Sequence, residues 1–530
     1  MSDPQPDLVP IARHGEVCVL TMTYPERRNA FSSRMRKILL ERFEHLMYHD
    51  RSCGAIVLTG AAGTFCAGGD LSEMKQRSII EGRQVFDEPR DLMRLMVAGP
   101  KPVVAAVEGH AFGAGLSLAC AADYIVASAQ TRFCAAFIKV GLIPDTGILW
   151  TLGKRVGAGK ARELMMLASE VRGEEALRIG LVNQLADGGA TLTAAIRVAS
   201  AMAMRPRTAQ AYLKTAFAES GASPDAAIRA EIDYRCTLIR DCSRERYAGR
   251  TVSGSDTAAV GFPPVASGWD GVLVDGARDG SVAILTLVFS PAHPMLCHAS
   301  GQAILQVLRD MNADPSCRAI IVTGRGADFC PGGDFSRGSG LGGDEDVIAM
   351  RGRLQVAAAL FSEVRRGAKP VLAAVEGAVR GSGLALVAAS DYVVAARDAS
   401  FACDAIGQGL LPDAGLLWSL PEKIGMAKAR ELLLLGSSLD ADAARRLGLA
   451  SELAAPGAAL RQALNIARSF DSLPLVAVAL TKAALFGGGA SIEQCRRLEL
   501  DLSPLARQAV DHLEAVNAFM EERKPDFVGN

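Results

Sequence analysis

Short apolar runs bounded by glycine-rich loops alternate with helical periodicities along this 530-residue chain. Val17 to Thr23, Ala55 to Thr59 and Val103 to Val107 are continuous β-branched or alanine-rich stretches, the pattern of strands buried on both faces. Between the first two, apolar Ile38, Leu39, Phe43 and Leu46 fall on one side of a 3.6-residue period and predict an amphipathic helix from Ser33 to about His49. The stretch Glu73 to Val97 reads as mixed and helical. GAAGTFCAGGDLSEM between Ala55–Thr59 and that stretch is a loop whose Asp70 is suited to capping the next turn. After Asp145 the pattern predicts two helices and a short strand, then one alanine-rich helix from Thr191 to about Ala218. Trp150 recurs as Trp418, which suggests packing.

This order occurs twice. Lys101 to Asp145, KPVVAAVEGHAFGAGLSLACAADYIVASAQTRFCAAFIKVGLIPD, returns as Lys369 to Asp413, KPVLAAVEGAVRGSGLALVAASDYVVAARDASFACDAIGQGLLPD; 369 − 101 and 413 − 145 both give 268. The earlier strands return as Val282 to Val288 and Ala319 to Thr323. Two homologous domains follow, 1–261 and 262–530, joined through a Gly-, Ser- and Pro-rich linker over about 249–280. Asp70 and Asp334 are only 264 apart, so four residues are added between this loop and the core stretch of the second domain, where SRGSGLGGDED is expected to be mobile and to border a substrate.

In both copies an apolar strand runs into a glycine-rich turn and a small-residue helix beginning near Gly113 or Gly381. A helix start offers unpaired N–H groups and the positive end of the backbone dipole, and small side chains let a ligand oxygen reach them. A net charge of −1 gives no electrostatic case for nucleic acid or a membrane surface, and no apolar run is long enough to span a bilayer. The N-terminal MSDPQPDLVP has no signal-peptide character, so a cytoplasmic protein acting on a small molecule is expected. The 12 cysteines form no CxxC pair and read as reduced, buried thiols. His45 and His49 are spaced for a metal but lack a third ligand, so no metal is expected. GKRVGAGKA lacks the spacing of a phosphate loop and reads as a helix start.

FCAGGDL, KPVVAAVEGHAFGAG, GLIPDTG and KARELMMLAS in the first half, with FCPGGDF, KPVLAAVEGAVRGSG, GLLPDAG and KARELLLLGS in the second, resemble the enoyl-CoA hydratase/isomerase (crotonase) family in tandem. The resemblance implies an α/β fold, a tandem crotonase-type spiral of ββα units with a C-terminal helical region on each. It implies an acyl-CoA or acyl-carrier-protein thioester as substrate, with coenzyme A entering as part of that substrate and no other cofactor. The thioester oxygen would be held by the backbone N–H groups of Gly69 and Ala114 in the first domain and of Gly333 and Ser382 in the second. Such a pair stabilises an enolate oxyanion, and one donor of this kind is worth about 3–4 kcal/mol. Arg28, Ala67, His110, Phe137, Lys524 and Phe527 are the implied substrate contacts. His110 could line the acyl pocket or satisfy a loop carbonyl, and Arg28 could meet CoA phosphates or stand solvated.

The departures from the family pattern bear on the reaction. Hydratases of this family carry two glutamates where this chain has Ser117 and Phe137, then Ala385 and Ala405. Adding water needs groups that orient it and exchange a proton, so an ordinary hydration is disfavoured. What remains is Asp145 and Asp413 of the Pro-Asp turns, which resemble the acid of family isomerases and also the nucleophile of a family dehalogenase. A turn aspartate without chemistry, and hence an acyl-thioester-binding scaffold, stays open. Asp123 and Asp391 read as structural. Arg28 and Asn29 face Pro294 and Met295 across the repeat, so the first domain is expected to be the main site, with Arg523, Lys524 and Phe527 of the tail closing over it. The resemblance further implies a homo-oligomer, with a trimer as the family's usual assembly.

Overall fold

The computed structural model describes residues 7–73, 87–140, 142, 144–219, 227–234, 273–288, 298–330, 347–487, 501, 505 and 509–528. They form two compact units. The first comprises Met1–Ala218 with Ile406–Gly409 and Gly425–Gly436, the second Glu219–Ala405, Leu410–Ile424 and Ser437–Asn530.

In the first unit β1 (Ile11–His14) pairs antiparallel with β2 (Val17–Met22), after which β3 (Ala55–Gly60), β4 (Val103–Val107), β6 (Tyr124–Ser128) and β9 (Gln184–Ala186) add in parallel. β4 and β6 are buried at every position, as their unbroken apolar sequences require. A second, three-stranded sheet of β5 (His110–Phe112), β7 (Arg132–Cys134) and β8 (Val171–Arg172) stands beside the glycine-rich turn. The second unit repeats the plan. Its six-stranded sheet has the order β10 (Leu273–Asp279), β11 (Val282–Val288), β12 (Ala319–Gly324), β13 (Val371–Val375), β15 (Tyr392–Ala396), β18 (Glu452–Ala454). Its small sheet joins β14 (Ala378–Arg380), β16 (Ser400–Ala402) and β17 (Ser438–Asp440).

The helix expected from Ser33 to about His49 runs over those residues, α-helical to Glu44 and then a π-helical turn over His45–His49, with Met35, Leu39, Phe43 and Leu46 buried. Three other expectations are corrected. The single helix expected over Thr191 to Ala218 is two, Thr191–Ala203 and Arg207–Glu219. Pro206 lies between them; it has no N–H to donate and keeps the residue before it out of the helical region. Between Asp145 and Thr191 there are three helices, Ile148–Val156, Ala158–Leu167 and Gly173–Arg178, and two short strands. Gly153 sits inside the first of these and Gly157 starts the second, so GKRVGAGKA is helix on both sides of one glycine. Trp150 is exposed, with Lys154 over its ring, and does not pack in the core.

The two repeated aspartates fasten strands to helices. Asp123 is fully buried: Oδ2 accepts from Val103 N (2.9 Å) and Lys214 Nζ (2.6 Å), and Oδ1 accepts from Arg430 Nη1 (3.1 Å). Lys214, at the equivalent of Lys482, also donates to the carbonyls of Met96 (2.8 Å) and Lys101 (2.9 Å). In the second unit Asp391 Oδ2 accepts from Val371 N (2.8 Å) and Lys482 Nζ (2.7 Å). Each network pins the start of the strand that leads into a glycine-rich turn. The eight cysteines among the described residues are buried. Among the described residues no single helix is long and apolar enough to cross a membrane. Of the linker expected over about 249–280, residues 273–279 are instead strand β10 at the edge of the second sheet, while 249–272 and the inserted SRGSGLGGDED lie outside the described residues.

Candidate active site

The loop after β3 is stitched on two sides. Asn29, wholly buried, accepts from Tyr24 N (2.8 Å) through Oδ1 and donates through Nδ2 to Ala61 O (2.9 Å) and Thr64 O (2.6 Å). Ala67 N donates to Arg28 O (3.1 Å) and Phe31 N to Gly68 O (2.8 Å), while Cys66 N reaches His110 O (2.9 Å) and Phe112 N reaches Cys66 O (3.0 Å). This places the loop against β5. Gly68 has φ +111°, and a Cβ there would press to 3.1 Å on Phe112 O. Gly113, with φ 49° and ψ −119°, lies where only glycine is at ease, and a Cβ on it would be 3.8 Å from the Cα of Gly68. The two loops thus meet at Gly68 and Gly113, next to Gly69 and Ala114.

Gly69 is exposed, and a Cβ built on it meets nothing within 4 Å. Ala114 opens the helix Ala114–Ala121 and is nearly buried. Among the described residues neither N–H has an acceptor. Two idle donors from adjoining loops, one of them at a helix start, are the elements an oxyanion needs.

Asp145 stands at the same helix. Ser117 Oγ donates to its carbonyl oxygen (3.2 Å), and Thr146 Oγ1 donates to its Oδ1 (2.8 Å). Burial holds the Asp145 carboxyl above the usual carboxylate range, against the opposing pull of the Thr146 hydroxyl and the Arg36 charge. Thr146 has φ 53°, a left-handed conformation that is costly for a β-branched residue, by about 1–3 kcal/mol.

In the second unit Ser382 Oγ donates to Asp413 Oδ1 (3.2 Å), and Gly381 (φ 51°) repeats the Gly113 turn. Gly333, Pro294 and Met295 lie outside the described residues. Sequence reasoning missed Glu231. This buried carboxylate accepts from Gly415 N and Leu417 N (both 2.8 Å), gripping the start of the helix Leu416–Ile424 just beyond Asp413. The signal was present, because Glu231 and Glu499 stand 268 apart like the motifs around them.

The remaining candidates divide. Arg28 is exposed with φ 50°, and Ala67 is half-buried in the stitched loop. Phe137 packs in the core and is nearly buried. His110 does not satisfy a loop carbonyl through its ring: Nε2 faces Arg132 Nη1 at 3.2 Å and Nδ1 is buried without a partner. Since a guanidinium only donates, Nε2 accepts and the proton sits on Nδ1. In the tail, Lys524 is exposed, Phe527 O accepts from Arg318 Nη2 (2.6 Å), and Arg523 forks onto Glu514 (2.6 and 2.8 Å). Arg523 is therefore committed to carboxylates of its own unit. Among the described residues no group of His, Cys, Asp and Glu could hold a metal.

The family model for enoyl-CoA hydratase/isomerase matches residues 12–241 and again 277–530. The chain belongs to this family, as two tandem domains. Among its relatives, the 1,2-epoxyphenylacetyl-CoA isomerase of Escherichia coli is 32% identical over 239 residues, covering 44% of this chain and 87% of that protein. The short-chain-enoyl-CoA hydratase of Clostridium acetobutylicum is 34% identical over 194 residues, 36% of this chain and 73% of that one. A probable enoyl-CoA hydratase of Rhodobacter capsulatus is 36% identical over 166 residues, and the match spans 63% of its length. A crystal structure of a probable enoyl-CoA hydratase/isomerase from Mycobacterium abscessus aligns with 32% identity over 48% of this chain and 98% of that one, with a TM-score of 0.42. These relatives carry both isomerase and hydratase names.

Proposed function

We propose that the chain is an acyl-thioester isomerase: Asp145 moves a proton between the α and γ carbons of an enoyl thioester while the Gly69 and Ala114 N–H groups hold the enolate oxygen. The observation that carries the reading is a carboxyl raised by burial on the turn tied to the helix start that supplies an idle donor. A base with a raised pKa takes and returns a proton more readily near neutrality than an ordinary carboxylate. At the helix position where a family hydratase has its first glutamate, Ser117 is spent on the Asp145 backbone, and Phe137 takes the second position in the core. Both departures favour a one-base proton shift over addition of water.

On this reading coenzyme A, or a carrier protein's phosphopantetheine, arrives with the substrate and no other cofactor takes part. Arg28, Ala67 and His110 flank the entry, the first domain (1–261) is the main site, and the second (262–530) supports it. The protein works in the cytoplasm as a homo-oligomer. A second reading, covalent chemistry at an aspartate as in a dehalogenase or hydrolase, draws on Asp413, whose carboxylate is oriented by the Ser382 hydroxyl. A panel of enoyl-, aryl- and acyl-CoA thioesters in deuterated water separates these. Asp145→Asn is expected to abolish deuterium entry into enoyl substrates and to keep thioester binding. Undiminished exchange refutes the isomerase reading, and binding of every thioester without turnover leaves the scaffold.

A further inference from the structure

A small cleft within the first compact unit has an apolar wall of Val97, Trp150 and Met426 and three cationic side chains, Lys154, Arg155 and Arg430. Arg155 is committed to the protein: Nε donates to Cys120 O (3.0 Å), Nη1 to Asn183 Oδ1 (3.3 Å) and Nη2 to Ala122 O. Arg430 is only half committed. Its Nη1 donates to Asp123 Oδ1 at 3.1 Å, while Nε and Nη2 are buried with no hydrogen-bond partner among the described residues. Those two nitrogens form the side edge of the guanidinium, where two parallel N–H groups match the two oxygens of one carboxylate.

The charge around the cleft is unbalanced in the same sense. Arg155, Lys214 and Arg430 are buried cations, and one buried carboxylate, Asp123, faces all three. Glu431, next along the helix Met426–Leu435, turns instead to Asn183 and Lys428. Buried charge without a counter-ion is costly, and an idle buried donor calls for an occupant. The repeat shows what is missing. At the offset of 268, Val97 and Lys154 correspond to Arg365 and Glu422, and in the second unit those two form an ion pair, Nη2 to Oε2, at 2.7 Å. The second copy thus supplies its own carboxylate at this helix position, where the first copy has a lysine.

We propose that the cleft binds a small monocarboxylate with an apolar body, its carboxylate on the Nε–Nη2 edge of Arg430, Lys154 at the mouth and the body against Trp150. Trp150 is 40% exposed and Lys154 Nζ lies 5.9 Å from its ring centroid, so the mouth joins a cation to an open aromatic surface. A doubly charged phosphate would give up more hydration against these apolar walls than a carboxylate does. None of the lining residues is among those assigned to proton transfer, so the inference stands apart from that reading.

Ligand-observed nuclear magnetic resonance on the full chain at constant ionic strength tests this, with sodium benzoate and sodium butyrate as probes and inorganic phosphate as the comparison. Both carboxylates are expected to bind, benzoate the tighter, and phosphate is expected not to displace them. Val97→Arg combined with Lys154→Glu rebuilds the second copy's ion pair in the cleft and leaves Arg430 in place. It is expected to weaken benzoate binding by about 10-fold or more, with circular dichroism and thioester binding unchanged. Arg430→Lys keeps a cation for Asp123 but has no side edge, and is expected to lose as much; if it does not fold, the double variant alone decides. Absence of benzoate and butyrate binding to the wild-type chain overturns the inference, water then filling the edge. Binding that survives the double variant places the acids elsewhere and overturns it too, and displacement of benzoate by equimolar phosphate overturns the carboxylate class.

Discussion

Replacing Lys214 by Met removes the ammonium that closes the Asp123 network while nearly keeping its volume. The side chain is wholly buried, and Nζ spends its three protons on Asp123 Oδ2 (2.6 Å), Met96 O (2.8 Å) and Lys101 O (2.9 Å). Burial alone would drive the lysine toward neutrality, and its pKa is held below the usual value by that desolvation, against the pull of Asp123. With Met in place, two carbonyls lose their donor and Asp123 keeps only Arg430 and Val103 N. Breaking a buried ion pair by deleting one partner costs about 3–5 kcal/mol. The equivalent Lys482→Met removes the bonds to Asp391 and to Lys369 O (2.8 Å), but Asp391 is 31% exposed and water can take over part of the loss. About 1–3 kcal/mol is expected there. Hydrogen exchange read by mass spectrometry on peptides covering Val103–Val107 and Val371–Val375 reports each strand separately, which a single unfolding curve of a two-domain chain does not. Lys214→Met should deprotect the first strand by more than Lys482→Met deprotects the second. If the order is reversed, or if Lys214→Met costs less than about 1 kcal/mol, the argument from burial fails.

Asn29→Ala strands Tyr24 N, Ala61 O and Thr64 O and is expected to cost about 2–4 kcal/mol in urea denaturation, with faster exchange in the loop that carries Gly69. Asp145→Asn tests burial as the cause of the raised carboxyl pKa. The folded protein takes up more proton than the unfolded chain between about pH 3.9 and the raised value, so the carboxyl's contribution to stability falls as pH rises through that window. The variant should therefore match or exceed wild-type stability at neutral pH and lose that advantage below about pH 3.9, as thermal denaturation across pH would show. Glu231→Ala leaves two buried N–H groups at the start of Leu416–Ile424 unbonded and should cost about 2–4 kcal/mol, read as exchange across that helix; an unchanged pattern would mean that water replaces the carboxylate.

The strands and glycine-rich turns were legible because their cause is local: an apolar run buried on both faces, then a glycine at a backbone angle other residues avoid. Pro206 is equally local, but the alanine-rich periodicity continues on both sides of it and hides the break between the two helices. Glu231 and the Arg430–Asp123 bond were hidden for another reason, as their partners stand 184 and 307 residues away. The repeat supplies what distance conceals, because it shows one position solved twice. At the two Pro-Asp turns the hydroxyl has changed places. The first copy has Ala114 and Thr146, and Thr146 donates to Asp145; the second has Ser382 and Ala414, and Ser382 donates to Asp413. Each substitution alone looks like drift at a position where only the backbone N–H matters. Together they keep one hydroxyl on each turn carboxylate, which a purely structural turn would not need. In the second copy that hydroxyl comes from the residue whose own N–H opens the helix, so Ser382→Ala removes a hydroxyl donor to Asp413, whereas Ala114→Ser in the first copy adds a competitor to Thr146. If the carboxylates are the reacting groups, Thr146→Ala should impair turnover, and adding Ala114→Ser to it should restore part of the loss by rebuilding the second copy's arrangement. Failure of that rescue, with both variants folded and binding thioester, would leave the exchange without a role in catalysis.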